Sequence, residues 1–199
     1  MSNLYIIAGC NGAGKTTASY TILPEILDCR EFVNADEIAK GLSPFQPEKV
    51  AFESGRIMLN RIKELIVSRV DFAFETTLST RSYIQTIRKA KSEGFQVTLI
   101  YFWLQSKELA IERVRERVKS GGHNIPIDVI ERRYDKGILN LFDLYIPEIE
   151  TILIFDNSEG IPELIAEKID QNVLTLLNNL KFSRLISYYE FKKRKDSHP

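Results

Sequence analysis

Short apolar runs alternate along this chain with longer stretches in which apolar side chains recur every three or four positions, and the alternation predicts an α/β fold. Runs of strand length occupy Leu4 to Ala8, Glu31 to Val33, Asp71 to Phe74, Phe95 to Leu104 and Thr151 to Phe155. Helix-compatible segments lie between them, at about 15–27, 36–42, 47–69, 80–92, 106–120 and 128–148. Gly94 ends one of these, Gly121-Gly122 breaks another, and Asp128 with Glu131 suits a capping box. Beyond Asn157 the pattern weakens: 163–169 suits strand or helix, and 172–189 suits a helix. Strands separated by helices predict a mostly parallel sheet with helices on both faces, a three-layer α/β domain.

Composition adds little to that picture and removes several alternatives. The chain has 199 residues, 44% of them hydrophobic and 27% charged, as in one ordinary globular domain. Lys plus Arg and Asp plus Glu are equal at 27 each, so no global field favours DNA, RNA or an anionic membrane. Residues 1–180 read as a single domain and 181–199 as a basic tail, with Lys181, Arg184, Lys192, Lys193, Arg194 and Lys195 against Glu190 and Asp196. Such a terminus is expected to be solvated and partly disordered rather than a nucleic-acid arm. The longest apolar segment, Val97 to Leu104, is far short of a membrane span. Ile7-Ala8-Gly9-Cys10 looks like a lipoprotein cleavage box but lacks a basic region and a signal core before it, so the chain is expected to be cytoplasmic. Cys10 and Cys29 make neither a disulfide framework nor a metal pattern.

The chemistry starts where the first strand ends. Gly9-Cys10-Asn11-Gly12-Ala13-Gly14-Lys15-Thr16 has the spacing of a phosphate-binding P-loop, followed by Thr17 in a helix-compatible segment. Its glycines let backbone amides turn toward phosphate oxygens, Lys15 adds positive charge, and the Thr16 hydroxyl can reach Mg²⁺. A nucleotide with Mg²⁺ is therefore the expected ligand.

In parallel sheets ligands bind beyond the carboxyl ends of the strands, and here those exits are polar. Asp36 can accept the proton of an attacking hydroxyl, although Asp36 and Glu37 also suit the dipole of a helix start. Glu75 can hold Mg²⁺ through water or bind substrate hydroxyls, with Thr77 beside it, whereas Thr76, Thr77, Ser79 and Thr80 also suit a helix cap. Asp156 and Asn157 suit either the border of an adenine or an ordinary turn. Arg113 and Arg117, spaced i, i+4, precede the Gly121-Gly122 hinge, and Arg132 and Arg133 follow it. Two arginine-bearing arms around a glycine hinge, at about 113–133, are what a phosphoryl-transfer lid requires. His123 in that hinge reads as incidental.

In order and spacing these segments resemble the zeta toxin family of P-loop kinases over about residues 3–158: the P-loop with Thr17, then Asn34-Ala35-Asp36-Glu37-Ile38-Ala39, then Phe74-Glu75-Thr76-Thr77-Leu78-Ser79-Thr80, then the arginine-rich lid and Arg132-Arg133-Tyr134. The resemblance implies a nucleoside-monophosphate-kinase-like fold and ATP-dependent phosphorylation of a sugar hydroxyl on UDP-N-acetylglucosamine. It implies that Asp36 is the base, that Glu75 binds substrate, and that arginines of the lid and the next helix bind phosphate. It also implies a protein antitoxin as partner. Two departures bear on the acceptor: the chain is shorter than the best-known toxins, and Thr76 stands where their motif commonly has Gly. A polynucleotide 5′-hydroxyl kinase and a nucleotide-dependent switch without a metabolic acceptor are the alternatives.

Overall fold

The computed structural model describes residues 2–122, 124–170 and 173–196. Seven strands form one sheet: β1 (Asn3–Gly9), β2 (Glu31–Val33), β3 (Phe72–Thr76), β4 (Gln96–Trp103), β5 (Thr151–Asp156), β6 (Glu163–Lys168) and β7 (Thr175–Leu176). Their order across the sheet is β2-β3-β1-β4-β5-β6-β7, with β1 to β5 parallel, β6 antiparallel to β5 and β7 antiparallel to β6. The helices are α1 (Lys15–Thr21), α2 (Ala35–Leu42), α3 (Ala51–Ser68), α4 (Tyr83–Ser92), α5 (Lys107–Lys119), α6 (Ile127–Asn140), α7 (Ile146–Glu148) and α8 (Asn179–Asp196).

The central strands are apolar on both faces because helices cover both. Leu4, Ile6, Ile7, Phe72, Phe74, Leu99 and Phe102 are fully buried or nearly so. Helix α3 contributes Met58, Ile62, Leu65 and Ile66 to this core, a spacing that keeps one face inward. After β1 the chain goes out to β2, returns through β3 and then crosses to β4 on the other side. That reversal opens a crevice at the carboxyl ends of β1, β3 and β4.

The five parallel strands and the main helices lie where the hydrophobic pattern predicts them, with shifted ends. Residues 163–168 are a strand. The capping box at Asp128 does not form: Pro126 precedes the first turn of α6, and Asp128 lies inside that turn. Nor do Thr76 to Thr80 cap a helix, since α4 starts only at Tyr83 and Ser82 makes no side-chain cap bond.

The largest departure is at the C-terminal end. The boundary expected at residue 180 falls inside α8, which begins at Asn179 and runs to Asp196. Phe182 and Leu185 are buried in the core, and Tyr188 and Tyr189 pack edge-on to Tyr134 and against Phe142. Four apolar or aromatic anchors, rather than the net charge of the segment, decide its state. The basic side chains Lys181, Lys192 and Lys193 are ion-paired to the domain.

Candidate functional site

The loop after β1 turns sharply back before α1 begins at Lys15, with φ of 144° at Gly9, 81° at Gly12 and 83° at Gly14. Gly14 also has no room for a side chain, because a Cβ there would lie 2.5 Å from Asn157 Nδ2. The loop therefore needs glycine at this position for both its backbone angle and its closeness to a neighbour. Ala13 is buried and its N–H donates to Cys10 O at 3.2 Å. Burial pushes the Cys10 thiol up to about 11, so it stays protonated at neutral pH as small filler in the loop.

Lys15 is only 6% exposed. Its Nζ donates to Cys10 O at 2.9 Å and lies 3.5 Å from Glu75 Oε1. Glu75 Oε2 accepts from the Thr16 hydroxyl at 2.7 Å and from Asn34 Nδ2 at 2.9 Å. Asn34 in turn caps α2, its Oδ1 accepting from the backbone N–H of Asp36 at 2.8 Å and of Glu37 at 3.3 Å. One asparagine thus starts the helix that carries Asp36 and tethers the carboxylate at the end of β3. Its sequence signal, an Asn between a strand and an acidic pair, is the ordinary N-cap signature and does not stand out beside the carboxylates. Asp36 and Glu37 both occupy the first turn of α2, and Glu37 pairs with Lys40 at 2.6 Å.

A cavity of about 520 Å³ opens beside the loop. Lys15, Asp36, Glu75, Thr77 and Arg133 line it, together with Phe52 and Arg56 of α3. The α3 lining is absent from the sequence-based expectation, since in sequence it is indistinguishable from an ordinary amphipathic helix. Arg133 is half-buried and its Nη1 donates to Asn11 Oδ1 at 3.3 Å. Burial lowers its pKa from the usual value, with the charge of Asp36 opposing the shift.

The structure separates the four candidate arginines. Arg113 lies against the loop, its Nη2 donating to Ser158 O at 3.0 Å, and Arg133 reaches the cavity. Arg132 is exposed and does not line the cavity, because adjacent residues on a helix point about 100° apart. Arg117 is exposed near the end of α5, where Gly122 N–H folds back onto its carbonyl at 2.8 Å. Thr17 is exposed on α1, and His123 lies outside the described residues.

Two supports come from residues that the sequence leaves ambiguous or silent. Asn157 is an internal brace, its Nδ2 donating to Ala13 O at 2.9 Å. The loop carrying Thr77 is held by Asn140 Nδ2, which donates to Leu78 O at 2.6 Å, and by Tyr145, which donates to Thr80 O at 3.0 Å. Gly137 lets α6 approach that loop, since a Cβ there would be 2.6 Å from Thr77 O.

The loop fits a polyphosphate: a buried ammonium faces a single carboxylate, and the positive φ angles turn the loop back on itself. Thr16 and Glu75 fit a divalent cation held partly through water. No group of three or more His, Cys, Asp or Glu side chains suited to a metal exists among the described residues, so phosphate oxygens and water would complete the shell.

The sequence model of the family described as Zeta toxin matches residues 2–159. An uncharacterized protein of Haemophilus influenzae is 33% identical over 126 residues, 63% of this chain and 88% of that protein. A chain of the AvrRxo1-ORF1:-ORF2 complex crystallised with ATP superposes with a TM-score of 0.76 at 20% identity, covering 94% of this chain and 64% of that one. A chain of the PezAT toxin-antitoxin system of Streptococcus pneumoniae gives 0.63 at 15% identity, covering all of this chain and 88% of that one. A gluconokinase from Sinorhizobium meliloti gives 0.51 at 13% identity, covering 97% and 94%. At these identities the likeness is one of fold alone.

Proposed function

The chain belongs to the zeta toxin family, and from that premise we propose that it is a kinase that transfers the γ-phosphoryl group of ATP to a hydroxyl of a small molecule in the cavity beside Asp36. A UDP-amino sugar, UDP-N-acetylglucosamine above all, is the leading acceptor. The observation that carries this reading is that Asp36, Lys15 and Arg133 line one cavity at the mouth of a P-loop. A switch that merely hydrolyses nucleotide has no need of a carboxylate on an acceptor-sized cavity.

In this reading the amides of residues 9–16 and Lys15 hold the phosphates, with Asn11, Thr17 and Arg113 on the same nucleotide side. Bound through Thr16, Mg²⁺ would neutralise charge on the phosphate oxygens. Asp36 orients the acceptor hydroxyl and takes its proton as the new O–P bond forms and the bond to the leaving ADP oxygen breaks. Arg133 faces the charge that develops between the two substrates. Arg117 and Arg132, with the segment at about 113–133, would approach only when the lid closes over bound nucleotide. Thr77 and Glu75 border the acceptor side. A protein antitoxin is proposed as partner because the similar PezAT chain comes from a toxin-antitoxin system. In this reading the reaction is cytoplasmic because it consumes ATP; separately, no helix among the described residues is long and apolar enough to cross a membrane.

The test is incubation of the purified protein with labelled ATP, Mg²⁺ and a panel of UDP-sugars, nucleotides and 5′-hydroxyl oligonucleotides. Label should appear on a UDP-sugar, and Asp36→Ala should lower transfer by at least about 10²-fold while ATP affinity changes little. Label on the oligonucleotides would redirect the reading to a polynucleotide kinase, and label found solely as free phosphate would overturn it.

A further inference from the structure

We propose that α8 is a brace for the nucleotide site, in which Lys181 positions the loop behind the P-loop and Lys192 positions the helix that carries Arg133. The helix lies wholly beyond residue 159, where the family match ends, and none of its side chains lines the cavity. Whatever it contributes to the site must therefore act through other residues.

Lys181 reaches the nucleotide side. Its Nζ lies 3.3 Å from Asp156 Oδ2, 2.8 Å from Glu163 Oε2 and 3.6 Å from Glu159 Oε1. Asp156 is 4% exposed, and its other oxygen accepts from the N–H of Ser158 at 2.9 Å and pairs with the Ser158 hydroxyl. The carbonyl of Ser158 holds Arg113, and Asn157 between them holds Ala13 and abuts Gly14. Without Lys181 a buried carboxylate loses its cation, and the strain falls on a loop that touches the P-loop directly.

Lys192 reaches the other arm. Its Nζ lies 2.9 Å from Asp135 Oδ2, which also receives Lys107 of α5 at 2.8 Å, while the Tyr188 hydroxyl bonds the second oxygen. Asp135 is two residues beyond Arg133 on α6. Tyr134 between them packs edge-on against Tyr188 and donates to Leu104 O at 2.6 Å. These contacts fix the rotation of α6 about its axis, which is what aims Arg133, rather than Arg132, at the cavity.

The proposal takes its kinetic form from the kinase reading above, and it is tested so that the two can fail separately. In the full chain, Lys181→Met should weaken ATP binding roughly tenfold by calorimetry, leaving kcat and acceptor KM within about twofold. Lys192→Met should lower kcat roughly tenfold with ATP affinity within about twofold. Lys181→Arg and Lys192→Arg should each restore most of the loss. Should a methionine variant fail to fold, Tyr188→Phe, which deletes one bond to Asp135, should show a smaller fall in kcat. If both methionine variants lower Tm while ATP affinity and kcat stay at wild-type values, α8 is merely structural and the proposal is wrong. Calorimetric ATP binding needs no acceptor. If no acceptor is ever phosphorylated, the Lys181 comparison alone decides: a wild-type affinity in Lys181→Met overturns the brace, and the tenfold loss supports it.

Discussion

Glu75 shows how a single side chain can be pulled between two roles. The family resemblance assigns it to the acceptor, yet its carboxylate accepts from Thr16 and faces Lys15, both on the phosphate side, while also accepting from Asn34 beside Asp36. Glu75→Gln keeps the shape and removes the charge, so it separates the two. If Glu75 serves the metal, the Mg²⁺ concentration for half-maximal activity should rise roughly tenfold while acceptor KM stays within about twofold. The opposite split would return Glu75 to the acceptor. Lys15, Thr16 and Asp36 can be picked out as candidates from sequence because of local spacing: a glycine loop, then a helix start, then a carboxylate just past a strand. Arg133 cannot be separated from Arg132 in this way, because the choice depends on how α6 is rotated against α5 and α8. Phe52 and Arg56 are invisible for a similar reason, since the cavity they line forms between α3 and a strand exit some twenty residues away.

Among elements, two glycines of the site's first helices have opposite expectations. Gly14 at the start of α1 has φ of 83° and Asn157 Nδ2 only 2.5 Å from where a Cβ would stand. Gly14→Ala should cost about 1–3 kcal/mol of stability and weaken ATP binding, because either the loop or Asn157 must move. Gly41 lies in α2, exposed, and a Cβ added there would meet nothing within 4 Å. Gly41→Ala should therefore stabilise the protein by about 0.5–1 kcal/mol through helix propensity, with activity unchanged. Urea unfolding of the two variants beside the parent checks both signs, and a stabilised Gly14→Ala would mean that the loop is not under the stated constraint. Element positions are readable where period and punctuation agree, as at β1, β2, β5 and the Gly94 stop of α4. At α8 the helix is readable but its packing is not, because a run of lysines and arginines suggests solvent while Phe182, Leu185, Ile186, Tyr188 and Tyr189 form a packed face.

For the whole molecule, the question is what holds α5, α6 and α8 together, and much of the answer passes through Asp135. Burial by itself would favour its neutral acid, but hydrogen bonds from Lys107, Tyr188 and Lys192 outweigh that and hold its pKa below the ordinary carboxylate value. A folded pKa below the unfolded value of about 3.9 means that folding favours the ionised form. The resulting stability is fully present at neutral pH, declines as pH falls below about 4, and is gone once pH passes the folded pKa. The same sign holds for Asp143 under Lys193 and Tyr189, so the tie between α8 and the turn just past α6 also loosens in acid. Comparing wild type with Asp135→Asn isolates the first of these, because Asp143, Glu148 and Glu163 titrate alike in both proteins. The difference in Tm between the two should be largest near pH 7 and shrink as the pH is lowered through about 4 toward about 3. A difference that stays constant over that range would show that Asp135 acts through packing, and that charge is not what ties α8 to the arginine-bearing helix.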